Sequence, residues 1–322
     1  MSTADLLQAN LLSPYVLAFG LGVLAKLLRS DLALPKDVYT GLSIYLLFAL
    51  GLKGGVELSE APFGEIFLPA VATLALGVVT PVVAYAVLRR LGRLRPVDAA
   101  AIAAHYGSVS AVTFIAAQTF VRAVGETPEP YLATLLALLE SPGIAVGLGL
   151  GLLATRRADH PVGGVMREVF TGRTMLLLVG GLIVGALTGK SGYEPIQPFY
   201  EGMFRGALTL FLLEMGLLAA ERLSDLKRTG PFLVAFGVMI PVVHGALGAW
   251  AGTLAGLSPG GAAVLGAMAA SASYIAAPPA VRMTLPEANP TYYLTASLAI
   301  TFPFNLVAGI PLYYWFARLF AE

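Results

Sequence analysis

The chain has 322 residues, of which 57% are apolar and only 12% charged, with a net charge of +1. A soluble domain carries about 25% charged residues, so this sequence cannot clothe itself for water, and its balanced charge gives no reason to expect a nucleic-acid partner. Cysteine is absent, which excludes thiol catalysis, disulfides and cysteine-ligated zinc.

The three histidines, His105, His160 and His244, are far apart. Neither a His-Glu-x-x-His run nor a Gly-x-x-x-x-Gly-Lys-Ser/Thr loop occurs, so a metalloprotease or an ATP-driven pump lacks its usual motif. With no nucleophile–base pair in evidence, an enzyme is the weakest reading. Met1–Asn10 has no basic n-region and does not read as a cleaved signal.

A membrane-spanning helix needs about 20 mainly apolar residues. Such segments fall at 12–28, 38–52, 66–88, 97–121, 131–154, 173–189, 203–220, 231–256, 260–283 and 292–317, numbered here as helices 1 to 10. A short polar connection, 155–172, separates 1–154 from 173–322, five helices to each side. The fold expected is an all-α polytopic membrane protein.

Lys and Arg favour cytoplasmic connections. The odd-numbered connections, after helices 1, 3, 5, 7 and 9, hold 15 of the 20 basic residues. Lys53, Arg122, Lys190, Arg205 and Arg318 fall on the other side. This places both termini outside the cytoplasm, in an inner (plasma) membrane.

The two halves resemble each other. Gly77-Val78-Val79-Thr80-Pro81-Val82-Val83 returns as Gly237-Val238-Met239-Ile240-Pro241-Val242-Val243, 160 positions on. Leu50-Gly51-Leu52 through Leu58-Ser59-Glu60 returns as Met215-Gly216-Leu217 through Leu223-Ser224-Asp225. Gly107-Ser108-Val109-Ser110 returns as Ala270-Ser271-Ala272-Ser273, and Pro142 is matched by Pro303. Helices 1 and 6 share only a glycine-rich pattern. An odd number of helices per copy turns the second copy upside down, as in transporters built from inverted repeats with a site where the halves meet.

Helices 4 and 9 carry the interruptions. Helix 9 contains Ala277-Pro278-Pro279, and adjacent prolines cannot continue a regular helix. Irregular backbone at membrane depth is tolerated where it is buried in protein or lines a wet cavity. A broken helix offers N–H groups and a positive dipole end to an anion and bare carbonyls to a small cation, while serine hydroxyls serve either. Small residues also let helices pack closely. The matched positions of the breaks point to binding.

Glu140, before Ser141-Pro142-Gly143, reads as a cation or proton ligand, because an intramembrane carboxylate must pair, protonate or bind a cation. Its repeat partner is Thr301. Glu214 reads as paired with Arg205 or a neighbouring helix, and His244 as a helix–helix hydrogen bond. His105 lies one turn before the first break. Asp98 and Arg282 read as anchors.

Taken together, Arg95-Pro96-Val97-Asp98-Ala99, the helix 4 motif ending in Ser110 and Thr113, Glu140-Ser141-Pro142, Pro241-Val242-Val243-His244-Gly245, Ala270-Ser271-Ala272-Ser273 with Pro278-Pro279, Pro286-Glu287-Ala288-Asn289-Pro290 and Ile310-Pro311-Leu312 give the chain a family likeness. It resembles the sodium-dependent bicarbonate transporter family (SbtA type) over nearly its whole length. The resemblance implies a symporter importing bicarbonate with sodium as coupling ion and no other cofactor. It implies an elevator-type core of helices 3–5 and 8–10, a gate that holds a homotrimer, and a small soluble nucleotide-binding regulator as a further partner.

By the same resemblance, substrate binds at Gly107, Ser108, Ser110, Thr113, Ala270, Ser271, Ser273 and Tyr274. Sodium binds near Glu140, Ser110, Ser273 and Asn305. The chain departs from the family at Ala111-Val112, where a Gly-Ser pair is expected, and at Tyr274, where an Asp is expected. The connection 155–172 is also much shorter than in relatives, which weakens the case for the regulator. Two other readings stay open: a sodium- or proton-coupled carrier of another small carboxylate, and a channel or sensor on the same scaffold.

Overall fold

The computed structural model describes residues 10–155 and 171–322, with residues 8 and 167 besides. The expectations attached to residues 1–7, to Arg156, Arg157 and His160, and to most of the connection 155–172 lie outside the described residues. The elements run α1 (Pro14–Leu27), α2 (Lys36–Glu60), α3 (Phe63–Arg90), α4a (Pro96–Gly107), α4b (Ala111–Ala123), α5 (Leu132–Thr155), α6 (Arg173–Tyr193), α7 (Phe204–Leu223), α8 (Leu226–Leu254), α9a (Pro259–Ala269), α9b (Ala277–Thr284) and α10 (Pro290–Ala321). No strand occurs among the described residues. Among the described residues eight helices are long and apolar enough to cross a membrane, counting α4a and α4b as one, and α1 and α9a are shorter apolar helices. The chain is a polytopic membrane protein.

Side-chain caps and prolines set the helix starts. Ser13 accepts from Val16 N (3.3 Å) before Pro14, and Ser258 accepts from Gly261 N (3.0 Å) before Pro259. Asn289 accepts from Thr291 N (3.0 Å) before Pro290. A proline in the first turn has its φ already set and lacks only a donor that would be unsatisfied there. α3 and α8, which carry the repeated Gly-to-Val motif, both end in left-handed backbone, at Arg93 (φ 51) and Gly256 (φ 85).

Two bodies are distinguishable. α1, α2, α6 and α7 form one panel, in which α2 packs on α6 and α1 on α7. The approach is close enough to require glycine. A methyl on Gly22 would lie 2.0 Å from the Leu213 carbonyl oxygen, and one on Gly185 2.0 Å from that of Leu52. Small residues that let backbones touch are the usual means of joining helices in lipid, where apolar burial alone discriminates little. Gly51 and Gly216, matched in the repeated sequence, sit in these two seams. The glycines of helices 1 and 6 therefore occupy equivalent seams, although the sequence likeness between those helices is slight.

The second body is α3, α4, α5, α8, α9 and α10, and the same pairings occur twice in it: α3 with α4a and α5, α8 with α9a and α10, α4a with α5, and α9a with α10. Residues 97–107 of α4a and 260–269 of α9a are all buried. The two ends of this body are tied by carboxylates. Asp98 binds Arg95 (2.6 Å) and accepts from Asn289 N (2.8 Å), so two of the family-like stretches meet. The hydrogen bond to Asp98 pushes the Arg95 guanidinium above its ordinary value. At the other end Glu129 accepts from Ser258 N at 2.5 Å.

α10 departs from the regular helix expected at 292–317. It widens into π-helical turns at Thr295–Thr301 and Asn305–Gly309 on either side of Pro303. The Asn10 amide donates to the Leu306 and Val307 carbonyls (2.8 and 3.0 Å) in the second of these turns. Side chains of this kind re-satisfy backbone groups freed within membranes.

Candidate functional site

The interruptions are where the sequence placed them, with one shift. α4 breaks at residues 108–110, between Gly107 and Ala111. α9 is non-helical over 270–276, ahead of Pro278-Pro279, which sit in the first turn of α9b. The prolines start the second half-helix instead of interrupting the first. A proline is tolerated at a helix start because it needs no backbone acceptor there.

The two breaks touch. Ser110 N donates to Ser271 Oγ (2.8 Å), and Ser273 N donates to the His105 carbonyl (2.8 Å). Ser271 Oγ donates in turn to the Met268 carbonyl (2.8 Å). Gly107 is fixed from two sides. A methyl on it would meet the Pro81 ring at 2.7 Å, and a methyl on Gly143 would lie 1.7 Å from the Gly107 carbonyl oxygen. The repeated proline of α3 and the glycine after Pro142 therefore hold the end of α4a. Glu140 lies one turn along α5 from Gly143, beside the break.

At the helix 9 break the side chains are engaged, while the N–H groups of Ala272, Tyr274 and Ile275 have no partner among the described residues. Ser273 Oγ accepts from Ala276 N and Ala277 N, both at 3.2 Å, and Pro278 and Pro279 have no N–H. Asn305 Nδ2 donates to the Ala270 carbonyl (3.0 Å), and Asn305 Oδ1 accepts from Tyr313 OH (2.6 Å). Thr301 donates to the Gly237 carbonyl (2.7 Å) and accepts from Tyr106 OH (2.6 Å).

The helix 4 break differs in its side chains. Ser110 Oγ caps α4b by accepting from Thr113 N (3.2 Å), but the N–H groups of Ala111 and Val112 have no partner among the described residues. Ser108 Oγ, Thr113 Oγ1 and Ser141 Oγ are buried without a hydrogen bond. Glu140, 3% exposed, forms neither an ion pair nor a hydrogen bond among the described residues. Unpaired buried polar groups cost about 1–3 kcal/mol each and more when charged.

Tyr274 lies across this site. Ser110 Oγ donates to its hydroxyl at 3.4 Å, and its ring meets Phe302 edge-on at 5.4 Å. Phe302 also contacts Phe19 of α1 at 5.6 Å. Tyr274 thus stands between the break and the α1–α2–α6–α7 panel.

Other sequence expectations resolve individually. Glu214 is 3.4 Å from Leu34 N, from which it accepts, so it pairs with the α1–α2 connection and not with Arg205. His105 Nδ1 donates to the Ala101 carbonyl (2.7 Å) and its ring stacks on Tyr293 at 4.5 Å, leaving Nε2 unpartnered. His244 is fully buried, and neither ring nitrogen has a hydrogen bond, so the expected helix–helix bond is not present among the described residues. No group of three or more His, Asp or Glu able to hold a metal occurs among the described residues. Any cation here would use Glu140 with hydroxyl and carbonyl oxygens.

A separate cavity of about 840 Å³ opens between α4b and the panel, lined by Lys53, Arg122, Glu201 and Arg205 among others. The sequence reading had no role for it. Its cations stood out in the sequence as exceptions to the orientation rule, and Arg205 also as a candidate partner of Glu214.

Two interlocking broken helices inside a buried core, held against a glycine-seamed panel, define the class: a multi-pass membrane protein. The chain belongs to the Na+-dependent bicarbonate transporter superfamily, whose sequence model matches residues 14–318, nearly the whole length. No match was found among curated proteins.

Proposed function

We propose that this protein is a sodium-coupled secondary transporter that imports a small anion, with bicarbonate as the leading substrate. The observation that carries the reading is the set of unpartnered buried groups at the helix 4 break. Ser108, Thr113 and the N–H groups of Ala111 and Val112 are donors suited to an oxyanion. Glu140, with Ser141 beside it, is an oxygen set suited to sodium. Anion and cation lower each other's cost in a low-dielectric site, so binding of one favours the other by the same factor. Ser110, Ser271, Ser273, Ala270 and Gly107 build the frame, Asn305 fixes the end of α9a, and Tyr274 closes the site toward the panel.

The repeated pairings of α3–α5 and α8–α10, and the equivalent glycine seams, support ten crossings arranged as two inverted repeats, 1–154 and 173–322. On this reading the six-helix body is the moving core and the panel is the gate, which also carries the homotrimer contact. The charge asymmetry of the connections supports an inner-membrane orientation with both termini outside. The unpartnered state of Glu140 also favours a second reading, proton coupling, because a proton would satisfy the carboxylate as a cation would.

The test is uptake of labelled bicarbonate into proteoliposomes under a sodium gradient, a pH gradient or neither, with small organic acids as competitors. Concentrative, sodium-driven uptake that organic acids do not inhibit is expected. Uptake driven by the pH gradient alone would favour the second reading. Absence of concentrative uptake under every gradient would leave a channel or sensor.

A further inference from the structure

Five of the 20 Lys and Arg residues fall on the side that the orientation rule leaves poor in cations: Lys53, Arg122, Lys190, Arg205 and Arg318. Three of the five, Lys53, Arg122 and Arg205, line the single cavity between α4b and the panel. Lys53 is paired with Glu201 at 2.8 Å. The guanidinium groups of Arg122 and Arg205 make no ion pair or hydrogen bond among the described residues, although Arg122 lies within the field of Glu57 and Glu201. Among the described residues the lining has Glu201 as its one acid, so it carries three positive charges against one negative.

Arg205 lies just after the π-helical turn Pro198–Gly202 that leads into α7. The lining also includes the apolar residues Val16, Leu50, Ile115 and Leu306. Ile115 is five residues along α4b from Ser110, about 7 Å at 1.5 Å per residue. The lining therefore includes Arg122 and Arg205 and, along α4b, comes within about a turn and a half of the helix 4 break.

We infer that this cavity is a collecting site for small inorganic oxyanions, held by Arg122 and Arg205 with Lys53 as a half-neutralised third cation. A concave site lined by one sign of charge concentrates the opposite ion. That it feeds the helix 4 break rests on the anion-carrier reading above; the electrostatic site itself does not.

The absence of cysteine allows a test that needs no transport. Gln118, on the cavity wall, is replaced by Gln118→Cys in the full chain. Its rates of modification by a sulfonate-bearing and a trimethylammonium-bearing methanethiosulfonate are then compared. The anionic-to-cationic rate ratio, divided by that of free 2-mercaptoethanol, is expected to be about 10-fold at low salt. It should fall about 3-fold for each of Arg122→Gln and Arg205→Gln, persist in Arg122→Lys, and collapse at high salt. Equal rates with a neutral methanethiosulfonate in every variant establish that the cavity is intact. If the arginine variants fail to fold, the salt titration of Gln118→Cys alone decides.

A normalised ratio near 1, or one that neither salt nor loss of both arginines changes, would overturn the site. The ratio should be the same in phosphatidylcholine nanodiscs and in discs containing phosphatidylglycerol. Its loss in the anionic discs would assign the arginines to lipid headgroups and overturn a free-anion site. In proteoliposomes the double variant should raise the KM for bicarbonate several-fold and leave the maximal rate unchanged. Absence of uptake by the unsubstituted protein would count against the carrier reading while leaving the modification ratio standing.

Discussion

The two broken helices share a sequence pattern but differ in how their polar groups are satisfied. At the helix 9 break Ser271 and Ser273 are engaged with backbone, Asn305 holds the Ala270 carbonyl, and two prolines remove donors from the first turn of α9b. At the helix 4 break Ser108, Thr113, Ser141 and Glu140 have no partner among the described residues. Buried polar groups in folded proteins are nearly always paired, and on the proposed function this contrast makes the first break framework and the second the binding surface.

That contrast can be broken or sharpened by substitution. The largest effect is expected for Glu140→Gln, which should abolish sodium dependence and lower sodium-driven uptake on the order of 100-fold, near the upper range of coupling between sites. Sodium titration of uptake measures it. Gly143→Ala should come next. A methyl there falls 1.7 Å from the Gly107 carbonyl oxygen, so the end of α4a must shift. Uptake is expected to fall about 10-fold or more, with thermal stability lowered by about 1–3 kcal/mol as in overpacked cores.

Ser108→Ala and Thr113→Val should each raise the KM for the anion roughly 10-fold, the effect of losing one hydrogen bond to a charged group. Ser273→Ala should behave differently. It removes the cap of α9b and should cost about 1 kcal/mol of stability, visible as a lower Tm, while the KM stays within about 2-fold of its starting value. The smallest change is expected for Tyr274→Phe, which loses one contact at 3.4 Å and should alter uptake less than about 2-fold. If Ser273→Ala raised the KM as much as Ser108→Ala, the division of labour between the breaks would fail.

Much of the molecule was legible in the sequence because lipid permits few solutions. Long apolar segments separated by charge clusters could only be helices, and Gly-Ser-Val-Ser and Ala-Ser-Ala-Ser at matched positions marked both interruptions. Three features were not legible. The exact place of the helix 9 break was hidden because prolines mark a helix start as readily as an interruption. The equivalence of helices 1 and 6 rests on glycines that face carbonyls of other helices, Gly22 against Leu213 and Gly185 against Leu52. A seam of that kind fixes one small residue per turn and leaves the rest of the sequence free.

The third was the inequality of the two breaks. Ser108 and Ser271 look alike in sequence, and only their partners across the core distinguish them. One advance signal existed, Glu140 opposite Thr301, because a carboxylate and a hydroxyl at equivalent depths cannot be satisfied by the same surroundings.

The most direct measurement is equilibrium binding of bicarbonate to purified protein across a range of sodium concentrations, in the unsubstituted chain and in Glu140→Gln. If the unpaired groups of the helix 4 break hold anion and cation together, sodium should tighten bicarbonate binding on the order of 10-fold in the former and not at all in the latter. Equal sodium dependence in the two proteins, or none in either, would contradict the account.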